Sequence, residues 1–150
     1  EMSYLSAEMQ ADYPADEPVW RTVASGFSNQ FGFDSRLSAN RRMKVKDLLL
    51  RTDLAKLEFR KLDALSFGEV RKVLIARALV AGPSLVLLDE PFDGLDTGSR
   101  AAAILLLDRV ARSGTQLIIV SHHAEDFPSA MTHSLCLNDG RVVSKGPIIR

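Results

Sequence analysis

Cysteine is nearly absent from this 150-residue chain. Cys136 is the only one, so no intrachain disulfide can form and a reducing compartment is expected. An excess of either charge is missing too. Lys and Arg total 19, as do Asp and Glu, which argues against a global attraction to nucleic acid or another polyanion. No apolar run approaches the roughly 18 residues needed to span a bilayer; the longest is Ala101–Leu107. The opening EMSYLSAEMQADYP lacks the basic-then-apolar pattern of an export signal. Without an initiator Met, it reads as a chain that starts mid-domain. Three histidines and one cysteine leave no second cluster from which a zinc site would be built. Internal repeats and low-complexity tracts are absent. What is present is 46% apolar residues, enough for about one domain with a buried core.

The densest signal lies in Leu65–Asp96, LSFGEVRKVLIARALVAGPSLVLLDEPFDGLD. Ser66, with Glu69 three residues on, predicts a capping box at a helix start. Val70, Val73, Leu74, Ile75 and Ala78 then follow the i, i+3, i+4 rhythm of a buried stripe, with Arg71, Lys72 and Arg77 expected mainly on the other face. Ala81-Gly82-Pro83 stops the helix. Ser84–Leu88 is a short apolar run that suits a parallel strand covered on both faces, and it ends in Asp89-Glu90-Pro91. In open α/β sheets ligands sit beyond the carboxyl ends of strands, where this carboxylate pair falls.

The flanks supply the rest of an α/β pattern. Met2–Ser6 reads as a strand. Glu17–Phe27 reads as a helix with Pro18 at its N-terminal edge, and Phe27–Asn40 as a loop anchored by Phe27, Phe31 and Phe33. Asn40 is the expected cap of a helix to about Arg51, striped by Val45, Leu48 and Leu49. Arg41, Arg42, Lys44 and Lys46 form its solvated face. Asp53–Arg60 is a second short helix, and Trp20 and the phenylalanines pack this helical region. Beyond Asp96, a helix over Thr97–Ser113 buries most of Ala101–Leu107 and stops at Gly114. Gln116–Val120 is another double-covered strand, leading to Ser121-His122-His123. Ala124–Met131 is a short helix or turn broken by Pro128. Asn138-Asp139-Gly140 signals a hairpin between Ser134–Leu137 and Arg141–Ser144. The order is that of an α/β fold with a mainly parallel sheet, a helical insert and a C-terminal β-hairpin.

Leu65-Ser66-Phe67-Gly68-Glu69, Leu85–Glu90, Gly94-Leu95-Asp96 and His122, in this order and spacing, resemble four motifs of the nucleotide-binding domain of ATP-binding cassette (ABC) proteins. These are the signature, the Walker B strand, the D-loop and the switch histidine. The SAEMQ and SHHAED runs look closest to members of the molybdenum transport type. The resemblance covers about Met2 to Gly146 and implies a partial P-loop NTPase fold. In it, 1–14 is a core strand and Q-loop region, 15–80 a helical subdomain bearing the signature, and 81–150 the second half of the catalytic core. It implies ATP and Mg²⁺ as cofactors. Asp89 would hold Mg²⁺ through its water shell as a hard oxygen ligand. Glu90 would be the general base toward the attacking water, and His122 would contact the γ-phosphate. Ser66, Phe67, Gly68 and Glu69, at a helix N-terminus, would grip the γ-phosphate of ATP on an opposing cassette, and Asp96 would line that interface. Gln10 is the candidate Q-loop residue for nucleotide and Mg²⁺; alignment with commoner members would place Ala7 or Glu8 there. The implied partners are a second cassette, as homodimer or tandem domain, and a transmembrane permease subunit docking near Gln10–Phe33, with no nucleic acid. The implied location is cytoplasmic, peripheral on the inner membrane face through that permease.

The departures from the family carry expectations of their own. No G-x-x-x-x-G-K-[ST] occurs in these residues, and that loop cradles the phosphates and supplies a lysine. The chain thus resembles the C-terminal part of a cassette. Its parent would hydrolyse ATP to power transport, of molybdate type by the finer likeness, while this chain alone would be inactive. The alternative is a non-transport soluble ABC protein with a regulatory or assembly role. A strand leading to the phosphate loop would lie beside Leu85–Leu88, and without it an apolar face and strand edges would stay uncovered, leaving the chain marginal or self-associating. Phe67 stands where the signature usually has Gly, and Glu69 where it usually has Gln. Plainer readings exist for each site: a simple helix cap at Ser66–Glu69, an acidic strand end at Asp89-Glu90, surface loop residues at His122 and His123, and a small core residue at Cys136.

Overall fold

The computed structural model describes residues 2–6, 9, 13–28, 37–123 and 127–148. A parallel sheet of three strands carries the centre of the molecule, in the order β1 (Met2–Leu5), β2 (Leu85–Asp89), β3 (Gln116–Val120). Its register runs from Met2↔Leu85 to Leu5↔Leu88 on one side of β2, and from Leu85↔Gln116 to Asp89↔Val120 on the other. Parallel neighbours cannot be joined by a tight turn, so the chain crosses over between them. The helices α1 (Val19–Ala24), α2 (Ala39–Arg51) and α3 (Phe67–Leu79) separate β1 from β2. Helix α4 (Thr97–Arg112) separates β2 from β3. All three strands therefore end on one side. The expected place for a further strand beside Leu85–Leu88 is taken on both sides, since β2 lies between β1 and β3.

Helix α3 is the hub of the core. The predicted capping box is present: the Glu69 N–H donates to Ser66 Oγ over 3.3 Å and the Ser66 N–H donates to Glu69 Oε2 over 2.8 Å. That hydrogen bond from the Ser66 backbone is the main reason the Glu69 carboxyl titrates below its ordinary range. A depressed carboxyl pKa adds stability above the usual range and loses it as pH falls. Ser66→Ala is expected to cost about 1 kcal/mol, read as a lower urea midpoint, and to weaken that acid dependence only in part, because the hydroxyl bond to Glu69 is lost while the backbone N–H stays.

From Val73 to Val80 every residue of this segment is buried. Arg71 and Arg77, expected on a solvated face, are buried as well, at 1% and 5% exposure. The i, i+3, i+4, i+7 stripe that starts at Arg71 runs on through Leu74, Ile75 and Ala78, all buried, so the helix carries its two arginines into the interior. The Arg77 Nε donates to Ser25 Oγ over 3.0 Å.

Two other expectations are corrected in the insert. Helix α2 is capped by Ser38, whose Oγ accepts from the Arg41 N–H, and Asn40 sits in its first turn. The helix expected over Asp53–Arg60 is only a 3-10 turn, Ala55–Leu57. The carbonyls of Arg60 and Glu58 instead accept from the Val19 and Trp20 N–H groups at 2.9 and 3.0 Å. They satisfy the first turn of α1, which begins after Pro18 with no side-chain cap. Arg41, Arg42, Lys44 and Lys46 of α2 are exposed, as expected. Trp20 and Phe27 are partly buried against the core and Phe92 is fully buried, but Phe59 and Phe67 are exposed.

The strands are less covered than their apolar sequences suggest. β2 alternates buried with half-buried residues, and β3 alternates half-buried with exposed ones. Ile118 and Val120 lie more than half exposed because β3 has β2 on only one side and, among the described residues, nothing over that face. In α4 only Ala103, Leu106 and Leu107 are buried, a narrower stripe than the run Ala101–Leu107 suggests. The hairpin of β4 (His133–Asn138) and β5 (Arg141–Pro147) turns at Asp139 and Gly140, with φ of 48° and 71°. Two consecutive positive φ values are the requirement of a type I′ turn. Both faces of this ribbon are open among the described residues, so Cys136 is exposed and not a core residue.

The segment after β3 is tied back to α4 through one carboxylate. Asp108 accepts from Arg112 Nε (2.7 Å), Ser129 Oγ (2.7 Å) and the Ala130 N–H (2.6 Å). These bonds, the Arg112 one first, hold its pKa down at about 2. Its contribution to stability is therefore complete above pH 3.8 and is lost as pH falls toward about 2. Asp108→Asn is expected to flatten the acid limb of a stability–pH curve over that window while leaving the neutral-pH fold intact.

Candidate functional site

The carboxyl ends of β2 and β3 bring two chemically active side chains into contact. The Glu90 N–H donates to the Val120 carbonyl over 2.9 Å, extending the β2–β3 ladder one residue past Asp89. Glu90 then turns sharply, with φ of 45°. For a long side chain this left-handed conformation costs on the order of 1–3 kcal/mol, and Pro91 disfavours the right-handed helical alternative. The turn aims the carboxylate at the next strand end, where His122 Nδ1 lies 3.0 Å from Glu90 Oε1. The second oxygen, Oε2, is buried and has no hydrogen-bond partner among the described residues. Buried polar atoms are rarely left unpaired, so this oxygen is free to engage a water or ligand. Asp89, half-buried, precedes it at the strand end.

A buried cation feels the charge of these carboxylates. Arg71 is the largest fully buried side chain among the described residues, and its Nε and Nη1 have no hydrogen-bond partner among them. Burial pulls its pKa down, opposed by the negative charges of Asp93, Asp89 and Glu90; a guanidinium stays charged regardless. Arg71 was missed as a site residue because basic side chains on helices are usually solvated. The signal available was its place in the apolar stripe.

The signature-like segment packs onto the 93–96 loop of the same chain. The Phe67 ring lies 5.8 Å from the Arg71 guanidinium carbon and against Gly94, where an added Cβ would collide with it. A Cβ on Gly68 would stand 3.1 Å from the Gly94 carbonyl oxygen, so the close backbone approach leaves little room for a larger residue there. Ser66 and Glu69 are engaged with each other in the cap. Asp96 caps α4, accepting from the Ser99 N–H at 3.0 Å and the Ser99 Oγ at 2.6 Å, and the hydroxyl bond is the first cause of its lowered pKa. Glu90 and His122 are thus brought together directly, with Asp89 adjacent. Phe67 and Gly68 join Gly94 a short way off. Gln10 lies outside the described residues.

A profile of the ABC transporter family matches residues 3–93. The chain belongs to the ABC transporter family. It is 37% identical over 139 residues to the ABC transporter ATP-binding protein ModF of Escherichia coli (strain K12), a match covering 89% of this chain and 28% of ModF. It is 33% identical to the thiamine import ATP-binding protein ThiQ of Rhizobium meliloti (strain 1021), covering 100% of this chain and 68% of ThiQ. This ABC chain therefore spans little more than a quarter of the first relative and about two thirds of the second. Among solved structures, the dimeric ATP-binding cassette MJ0796 superposes with a TM-score of 0.82 at 21% identity, covering 98% of this chain and 62% of that one. A post-hydrolysis dimer of MJ0796 bound to ADP and Pi gives 0.81 at 22%, with the same coverages. The fold is that of an ABC ATPase cassette, of the P-loop NTPase class.

The strand-end carboxylates of this ABC chain suit a hydrated metal ion on their own chemistry. Asp89 offers the hard oxygen that Mg²⁺ prefers, and the unpaired, buried Oε2 of Glu90 suits a polarised water. No helix among the described residues is long and apolar enough to cross a membrane.

Proposed function

We propose that this chain supplies the hydrolytic half of an ATP-hydrolysing cassette and donates its signature helix to ATP held by a second cassette. The observation that carries this reading is the Glu90–His122 pair, 3.0 Å apart at adjacent strand ends with Glu90 Oε2 left unpaired. Glu90 is the general base. Its Oε1 is steadied by the imidazole, which leaves Oε2 to take the proton of an attacking water. His122, with its Nδ1–H donated to Glu90, reaches the γ-phosphate through Nε2 as an imidazolium, in which both ring nitrogens donate. Asp89 would hold Mg²⁺ through its water shell; the ion, when bound, neutralises charge developing on the phosphate oxygens. Arg71 acts on the field of all three carboxylates.

Gly68 and its first-turn neighbour Phe67, at the N-terminus of α3, offer backbone N–H groups to an anion on the opposing cassette; Ser66 joins them by exchanging its bonds to Glu69. Asp96 shapes the neighbouring loop at that interface. We read 15–80 as the helical subdomain, and Gln10 as the Q-loop residue. The work driven is transport, as the names of ModF and ThiQ state for those proteins. The setting is the cytoplasmic face of a membrane, reached through a permease subunit. A P-loop sequence is absent from these 150 residues, so the chain alone is expected to show no Mg²⁺-dependent ATP hydrolysis. The same residues joined to a P-loop-bearing segment should hydrolyse ATP with turnover that rises more than linearly with protein concentration, as two-cassette sites require. Hydrolysis by the isolated chain, or none in the joined form, would overturn the reading.

A further inference from the structure

We propose that Asp93, His122 and His123 form a binding site for a divalent transition metal of the Zn²⁺ type. In sequence the two histidines are a lone adjacent pair, too few to suggest zinc. The fold adds a third donor from a different loop. One ligand atom from each of the three side chains lies within 4.8 Å of those of the others, and small side-chain rotations close that spacing to the roughly 3.5 Å between donors on one ion with bonds of about 2.0–2.2 Å. The site draws on both strand ends: Asp93 follows β2 by four residues, and the histidines follow β3.

Two further observations point to a ligand of this class. First, His122 Nδ1 is held by Glu90 Oε1 at 3.0 Å. A carboxylate on one ring nitrogen fixes the tautomer with its lone pair on the other, here Nε2, and makes it a better donor; this is the outer partner that metal-binding histidines commonly have. Second, the His122 and His123 ring centroids are 4.0 Å apart with the planes tilted by 41°, so the two imidazoles already share one space. Asp93 and His123 are half-buried and His122 is exposed, which leaves an open position for water.

The donor set also selects the ion. Two imidazoles and one carboxylate suit Zn²⁺ or Co²⁺ and not Mg²⁺, which prefers oxygen alone. The Arg71 charge acts on Asp93 and opposes a second cation. Binding must then come from the nitrogen–metal bonds and not from charge alone, which disfavours Mg²⁺ further. If the hydrolytic reading above holds, an ion here would take His122 away from the phosphate and act as an inhibitor. Binding itself does not depend on that reading.

The experiment is a Co²⁺ and Zn²⁺ titration of the 150-residue chain without nucleotide. It follows visible Co²⁺ absorption and the three histidine ring signals by NMR. Expected is saturable one-to-one binding that millimolar Mg²⁺ does not displace, with His122 and His123 shifting while His133 stays. Asp93→Asn and His123→Asn should each weaken binding by at least tenfold, and Glu90→Gln by about tenfold through its outer position. Cys136→Ser, on the exposed hairpin, should change nothing. The proposal fails if binding is lost only with Cys136→Ser, if His133 shifts with the others, or if no saturation is reached. Because the ring signals are read in the unsubstituted chain, a variant that does not fold leaves the test intact. A metal-binding chain with no hydrolysis in the joined form would sink the function and keep the site; the reverse outcome would do the opposite.

Discussion

Glu90→Gln, in a polypeptide joining this chain to a P-loop-bearing segment, is expected to reduce Mg²⁺-dependent ATP hydrolysis by about 10²–10⁴-fold. The amide keeps the shape of the side chain and the ladder bond from its N–H to Val120. What it loses is the basicity of Oε2, the buried oxygen with no partner of its own. ATP binding should be unchanged, so the effect falls on turnover and not on affinity. Glu90→Gly separates chemistry from folding. It removes the base and also relieves the strain of φ 45°, so activity should fall as far while stability rises by about 1 kcal/mol. Turnover in Glu90→Gln above one tenth of the original would mean that another group takes the proton.

Gly26→Ala should be among the most damaging substitutions to the fold. A Cβ at this position would lie 2.1 Å from the Arg77 carbonyl oxygen and 2.8 Å from Val80 Cγ1. The first of these is backbone of the buried part of α3 and cannot swing aside. Relief requires parting the Ser25–Phe27 turn from α3, which also breaks the 3.0 Å bond from Arg77 Nε to Ser25 Oγ. Overpacking costs about 1–3 kcal/mol, and a buried donor left unpaired adds about 1–3 kcal/mol. The sum is a large share of the stability of a domain this size. Urea unfolding should show a lowered midpoint at unchanged slope. Gly98→Ala is the control: it lies in α4, where the nearest atom to a new Cβ is Asp96 Oδ1 at 3.4 Å, and helix propensity favours the change. Equal effects at the two glycines would refute the steric account.

Local rules worked where the deciding partner is a few residues away. Ser66 with Glu69 forms its capping box, Gly82 and Pro83 lie just past the end of α3, and Asp139-Gly140 makes its turn. They failed where a distant segment competes for the same groups. The Asp53–Arg60 helix gave way because α1 takes the carbonyls of Glu58 and Arg60. Arg71 and Arg77, expected mainly on the face opposite the apolar stripe, are both buried because the helix is packed on more than one side. The apolar runs of β2 and β3 correctly indicated parallel strands, but how far each face is covered depends on what lies over the sheet, which no single run contains.

By itself, then, the sequence determined the order of elements, the helix cap of α3, the strand ending in Asp89-Glu90 and the family to which these motifs belong. Each of those rests on neighbours in the chain, where spacing alone sets geometry. Only the tertiary structure decided that Glu90 meets His122, that Arg71 lies buried in the field of three carboxylates, and that Asp93 joins the two histidines. Those side chains come from α3 and from the loops that follow β2 and β3. Parallel strands with crossover connections bring such ends together while keeping them far apart along the chain.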